Sequence, residues 1–141
     1  MFQKILVAVD GSEMSEKALE AGLHLAKEQK AEVTLVHVER NITIPVGLEG
    51  TTVDNIYESI QKEGENLLND MKAKAEAEGI KAQIAYLQGD PAVQIVHLAE
   101  KENYQLIVIG SRGLGNIKEM MLGSVSHKVS QMSHCPVLIV K

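Results

Sequence analysis

The sequence predicts an α/β protein: a single doubly wound parallel sheet with helices on both faces. Three observations predict it. Short apolar runs recur along the whole chain, segments of helical periodicity alternate with them, and the joints are rich in Gly, Pro, Asp and Ser. Strands that alternate with helices pair in parallel, and right-handed crossovers leave few ways to wind them. The 141 residues suit one domain, residues 1–141, with one substantial core.

The elements follow in order. Residues 3–9, "QKILVAV", form a continuous apolar run, as a strand buried on both faces would. "DGS" breaks the run, and Ser12 is placed to cap a helix over 13–29 with Glu13 and Glu16 in its first turn. "AEVTLVHV", 31–38, is a second strand. Residues 39–53 contain Pro45, Gly47 and Gly50 and show no period, so they read as a long functional or mobile loop. A charged helical pattern runs from 54 to 78 and stops at Gly79, with Gly64 as an interruption inside it.

"IKAQIAYLQ", 80–88, alternates like a half-exposed strand. Asp90 and Pro91 then start a helix over 91–102, with Val93, Ile95, Val96 and Ala99 expected inside. "YQLIVIG", 104–110, and "PVLIV", 136–140, are the fourth and fifth strands. In doubly wound sheets the ligand crevice lies at the carboxyl ends of strands where the winding reverses. The turns after strands one and four, Asp10–Ser12 and Gly110–Gly115, flank that position.

Composition narrows the function. Aromatics are 3% of residues, which leaves no stacking platform for single-stranded nucleic acid. The formal net charge of −5 opposes binding along a phosphate backbone, though not a local anion site built from amide groups. The first ten residues lack a cleavage-site pattern and are too short to span a bilayer, so neither export nor a membrane partner is expected. One cysteine permits no internal disulfide and suits a reducing cytoplasm. The five histidines show no metal-ligand spacing, so no metal site is expected from protein ligands alone. Cys135, His134 and His127 could suggest a Cys–His nucleophile, but Cys135 opens a strand away from the crevice and reads as packing, so no catalytic residue is assigned.

The stretch "GSRGLGNIKEMMLGSVS" carries the functional argument. Gly110 and Gly115 have P-loop spacing, but Asn116 stands where the lysine must be, and the dinucleotide fingerprint fails at Lys118. What remains is Gly110, Gly113 and then, after nine intervening residues, Gly123 and Ser124. The first two glycines let the backbone turn and approach a ligand closely. A short helical turn over 116–122 should end at Gly123, and Ser124 should cap a new helix to about Ser133, with Val125, Val129 and Met132 facing the sheet. The amides of 124–126 would then form an anion site, with hydroxyl donors from Ser124 and Ser126 and a charge from Arg112.

That stretch resembles the nucleotide-binding signature of the universal stress protein family, G-x2-G-x9-G-[ST]. "KILVAVDGSEMSEKAL", "VTLVHV" and "HCPVLIV" are similar to the family's opening strand and helix, its second strand and its closing strand. The resemblance implies strand order 3-2-1-4-5, a homodimer, and bound ATP with Mg²⁺ or Mn²⁺ on its phosphates. It implies that Asp10 lies by the ribose or a phosphate-bound metal, that Ala8 and Val9 belong to the nucleotide-binding set, and that Val38 lies against the adenine. Gly110, Arg112, Gly113, Gly123, Ser124, Val125 and Ser126 would surround ribose and phosphates. The apolar edge strand 136–140 would be protected by pairing with its copy across a two-fold axis.

The expected function is therefore a cytoplasmic, ATP-binding stress regulator or sensor with at most slow hydrolysis and an unassigned protein partner. Two alternatives stand beside it. One is an interaction module with a vestigial pocket. The other is an enzyme that splits ATP to adenylate a substrate, for which "DGSEMS" is a poor match to the required glycine-rich loop.

Overall fold

The computed structural model describes residues 1–41, 47, 50–113 and 123–141. Its elements are β1 (Lys4–Ala8), α1 (Glu13–Gln29), β2 (Glu32–Glu39), α2 (Thr51–Ala77), β3 (Ala82–Gln88), α3 (Pro91–Lys101), β4 (Leu106–Gly110), α4 (Ser124–Met132) and β5 (Val137–Val140). The five strands pair in parallel in the order β3-β2-β1-β4-β5. The winding reverses between β1 and β4, which pair with Ile5 opposite Leu106 and Val7 opposite Val108.

Successive side chains of a strand point to opposite faces, and here both faces are buried. Ile5, Val7, Val33, Leu35 and Val108 face a layer made by Leu19 and Leu23 of α1 and Leu68 and Met71 of α2. Leu6, Ala8, Val36, Ile107 and Ile109 face the other layer, made by Ile95 and Ala99 of α3 and Val129 of α4. Each fully buried Leu, Ile or Val contributes about 1.5–3 kcal/mol of transfer free energy.

The helix ends follow local chemistry. Ser12 Oγ accepts the Ser15 N–H at 3.1 Å, and Asp90 Oδ2 accepts the Val93 N–H at 3.1 Å. At the end of α2, Ile80 N–H donates to Ala75 O and Gly79 N–H to Glu76 O, the double bond pattern that a left-handed glycine permits, and Gly79 has φ +78.

Several expectations are corrected. The second helix starts at Thr51, so Thr51–Val53 belong to it rather than to the preceding loop, and the turn into it is made at Gly50, φ +65. Glu39 likewise belongs to the second strand; residues 42–46 and 48–49 of that loop lie outside the described residues, as does the helical turn expected over 116–122. On α3 the inward positions are Ala92, Ile95, Val96 and Ala99, and Val93 is 46% exposed. The i, i+3, i+4, i+7 stripe begins at Ala92, which turns Val93 outward. Met132 is 43% exposed because it is the last residue of α4, a turn beyond the buried Val129. Ser124 is the first helical residue rather than the cap; Gly123 takes the capping position.

Gly64 does not interrupt α2, which runs unbroken for 27 residues. A Cβ there would fall on the edge of the Tyr86 ring and 3.2 Å from His37 Cδ2. The glycine is a seat for the edge strand rather than a break. The Tyr86 hydroxyl is buried. Burial pushes its pKa above the ordinary value of 10.0, and Glu39 and Glu65 push the same way. Gln88 offsets part of this, although no described group stands in hydrogen-bond geometry to the hydroxyl.

Alanine is normally better than glycine inside a helix by about 1 kcal/mol. Gly64→Ala should nevertheless lower the unfolding free energy by about 1–2 kcal/mol, because an overpacked contact outweighs the propensity gain; urea unfolding measures it. Tyr86→Phe should be neutral or stabilising, since it removes a buried hydroxyl without a partner. The folded state disfavours the phenolate, so the stability that Tyr86 contributes is present below pH 10.0 and lost as pH rises through its elevated pKa. The stability of wild type should therefore decline above pH 10.0 more steeply than that of Tyr86→Phe in paired alkaline titrations.

Candidate functional site

A cavity of about 420 Å³ opens at the carboxyl ends of β1, β2 and β4, between the first turns of α3 and α4. This is the crevice beside the winding reversal that the topology calls for. Its size is that of a small-molecule site.

β1 delivers Ala8, Val9 and then Asp10 to the cavity. Asp10 Oδ1 accepts the Ser12 N–H at 2.9 Å, and the Asp10 N–H donates to Ser15 Oγ at 3.3 Å. Ser15 in turn donates its hydroxyl to Ser12 O at 3.0 Å. The carboxylate therefore both shapes the turn and lines the cavity. Its other oxygen, Oδ2, faces Gly113: a Cβ there would stand 2.5 Å from it, so a side chain would displace the carboxylate.

β4 ends at Gly110, where a Cβ would come within 2.9 Å of the Met14 backbone. The missing side chain lets the first turn of α1 close on the end of β4. Ser111 follows, buried, with its N–H donated to Val140 O at 2.7 Å. Its carbonyl accepts two donors, Gly123 N–H at 2.7 Å and Ser126 Oγ–H at 2.8 Å. These bonds hold the start of α4 against the end of β4. Arg112 and Gly113 complete that rim.

Gly123 gives α4 no side-chain cap, whereas α1 and α3 are capped by Ser12 and Asp90. The first bond within α4 is His127 N–H to Gly123 O at 3.0 Å. The amides of Ser124, Val125 and Ser126 precede it and have no acceptor inside the helix. All three residues line the cavity. Gly123 has φ −62, which any residue adopts, so its backbone angles do not require glycine. Ser126 differs from the expectation in one respect. Its hydroxyl is buried and donated to Ser111 O, with Gly123 O 3.1 Å away, so it ties the fold together and is not free for a ligand.

β2 supplies Val36, His37, Val38 and Glu39, Arg40 follows directly after it, and α3 supplies Pro91 and Ile95. The walls are thus apolar between Val38, Ile95 and Ile109 and polar toward Asp10, Arg112 and α4. All eleven residues expected from the sequence, Ala8, Val9, Asp10, Val38, Gly110, Arg112, Gly113, Gly123, Ser124, Val125 and Ser126, line this one cavity. Sequence reasoning missed Ser15, Val36, His37, Glu39, Arg40, Pro91, Ile95 and Ile109. A visible signal existed for part of this set: β2 lies next to β1, so its carboxyl end must border the same crevice.

Cys135 lies at the amino end of β5, opposite the cavity, packed against the α3–α4 layer. Its N–H donates to Ser133 Oγ at 3.1 Å, while His134 faces Glu100 at 3.6 Å. Among the described residues no group of three or more His, Cys, Asp or Glu is arranged to hold a metal ion. No described helix is long and apolar enough to cross a membrane.

Comparison with known proteins gives a consistent result. Residues 1–141 match the profile of the universal stress protein family. The universal stress protein YxiE of Bacillus subtilis is 49% identical over 148 residues, covering all of both chains. The solved structure of MJ0577, from Methanocaldococcus jannaschii, superposes with a TM-score of 0.84 at 33% identity, covering 100% of this chain and 96% of that one. A universal stress protein solved in complex with cAMP superposes with a TM-score of 0.75 at 25% identity, covering 99% and 97% of the two chains.

Proposed function

Since this chain belongs to the universal stress protein family, we propose that its cavity binds an adenine nucleotide, ATP by preference, and that the protein acts as a nucleotide-dependent regulator or sensor. One observation carries the reading. Three helix N-terminal amides without intrahelical acceptors line the same cavity as an apolar slot. Such amides, with the helix dipole behind them, favour phosphate oxygens. The purine packs between Val38 and Ile95, and the phosphates meet residues 123–126 with Arg112 beside them. Asp10, held by Ser12, offers its free oxygen to the ribose hydroxyls or to a phosphate-bound cation. The cAMP complex of a relative supports an adenine nucleotide as the ligand class.

A divalent cation, Mg²⁺ or Mn²⁺, fits this arrangement. Such ions take most of their ligands from phosphates and water with one or two carboxylates. Asp10 Oδ2 supplies a carboxylate oxygen not used by the Ser12 bond. The cation would neutralise phosphate charge there.

Hydrolysis is at most slow on this reading. Phosphoryl transfer relies on clamped phosphates and an oriented attacking group. Asn116 stands in place of the P-loop lysine, and the Asp10 carboxylate already serves its own turn. The protein works in the cytoplasm as one 1–141 domain, and as a homodimer through residues 136–140. The edge position of β5 supports that dimer: Leu138 and Val140 reach one core layer and Val137 and Ile139 the other, while among the described residues its outer rim has no strand beside it.

Calorimetric titration with ATP and Mg²⁺ should give saturable, one-site binding. Gly123→Val fits the backbone angles of the capping position but adds a branched side chain to a residue that lines the cavity beside the amides; it should weaken binding at least about tenfold, the equivalent of one lost charged hydrogen bond. Unchanged affinity in that variant, with helicity intact by circular dichroism, would remove the basis of the reading. Sedimentation equilibrium at micromolar concentration should return a dimer; a monomer refutes the β5 pairing.

A further inference from the structure

We infer that His37 is a positioning residue for this cavity: its imidazole holds the Val9 carbonyl and so orients the peptide that carries Asp10. The inference rests on the nucleotide reading above and adds to it a residue that does no chemistry on the ligand itself.

His37 is 9% exposed and lines the cavity from β2. The β1–β2 ladder has its last matched pair at Ala8 and Val36, and Val9 N–H still reaches Val36 O at 2.9 Å. The Val9 carbonyl lies beyond that ladder, in a residue only 3% exposed. His37 Nδ1 stands 2.9 Å from it. A carbonyl can only accept, so Nδ1 carries a proton. A buried carbonyl without a donor is costly, and the imidazole supplies the missing one.

The consequence reaches Asp10 through one planar unit. The Val9 carbonyl and the Asp10 N–H belong to the same peptide plane and point in opposite directions. His37 holds one end of that plane, and Ser15 Oγ, 3.3 Å from the Asp10 nitrogen, holds the other. With both ends held, the plane cannot rotate, and the Asp10 carboxylate starts from a fixed Cα. Its Oδ1 bond to Ser12 then sets the side chain.

The ring is itself packed on two sides, and its Nε2 stands 3.5 Å from Glu39 Oε1, a contact that binds only where the ring carries a proton there as well. Tyr86, its register partner on β3, lies with ring centroids 6.0 Å apart and planes at 42°. Gly64 of α2 closes the remaining side, where a Cβ would come 3.2 Å from Cδ2. The helix that seats on His37 thus takes part in placing Asp10, although α2 has no residue in the cavity lining.

The test compares His37→Asn with His37→Gln. Both carry the same amide, but only the asparagine nitrogen sits near the position of Nδ1. With Mg²⁺ and ATP as probe, the asparagine variant should bind within about threefold of wild type, whereas the glutamine variant should bind about tenfold more weakly, the value of one hydrogen bond. A residue that merely filled space would weaken both alike, and equal affinities in the two variants overturn the inference. Two readouts need no nucleotide. Imidazole ¹⁵N spectra should show a protonated Nδ1 in wild type, and an Nε2–H tautomer overturns the inference. Hydrogen exchange at the Asp10 amide should be faster in the glutamine variant and near wild type in the asparagine variant; unchanged exchange in both also overturns it. Failure of wild type to bind ATP would sink the nucleotide reading while these two readouts still decide the role of His37.

Discussion

A single carbonyl, that of Ser111, organises the cavity. It accepts the Gly123 N–H and the Ser126 hydroxyl together, and so joins the end of β4 to the start of α4 across eleven residues of intervening chain. Without this junction the amides of 124–126 would have no defined position relative to β1 and β4. The hydroxyl of Ser126 is the cost of the arrangement: it holds the helix in place and is therefore withdrawn from any ligand. A helix capped by its own Ser or Asp would need less outside support, but a side-chain cap would also claim one of the amides the cavity presents.

The glycines around the cavity work by different means. Gly110 is small because the backbone of Met14 occupies the space of a Cβ, which lets α1 start against the strand end. Gly113 is small because Asp10 Oδ2 lies there. Neither has the positive φ that would make backbone freedom the reason. Close approach unites them: two loops and a helix start meet within a few ångströms, and side chains at these positions would force them apart. Distant Gly64 follows the same logic, since its absent Cβ admits Tyr86 and His37, and His37 bonds back to the cavity floor.

The sheet and its helices were legible in the sequence because each depended on local pattern: continuous apolar runs for β1 and β4, Ser12 and Asp90 before helical periods, Gly79 after one. Errors arose where a tertiary contact outvoted the local signal. Gly64 reads as an interruption until the Tyr86 ring is seen in its place. Val93 reads as inward until the stripe of α3 is phased from Ala92. The spacing from Gly110 to Ser124 led to the residues around the cavity because the topology alone brings both segments to the carboxyl edge of the sheet. His37 was not legible. Its role depends on the register of β2 with β3, the seat of α2, and the end of the β1 ladder, none of which a spacing in the chain records.

Electrostatics explains why the cavity must be built from short-range donors. The chain has a formal net charge of −5, so at a distance it repels an anion. Physiological salt screens that field beyond roughly 8 Å. Attraction must come from groups inside this radius, and fixed amides satisfy the requirement well: they carry no net charge, undergo no titration, and need no reorganisation when an oxyanion arrives. Arg112 adds one cationic group on the same rim, while Glu39 at the end of β2 and Arg40 after it bring one charge of each sign to the opposite wall. A site of this kind depends less on the surrounding charge than on how rigidly its backbone is held. The bonds to Ser111 and the two-sided hold on the Val9–Asp10 peptide are therefore as important to recognition as any side chain that could touch the ligand.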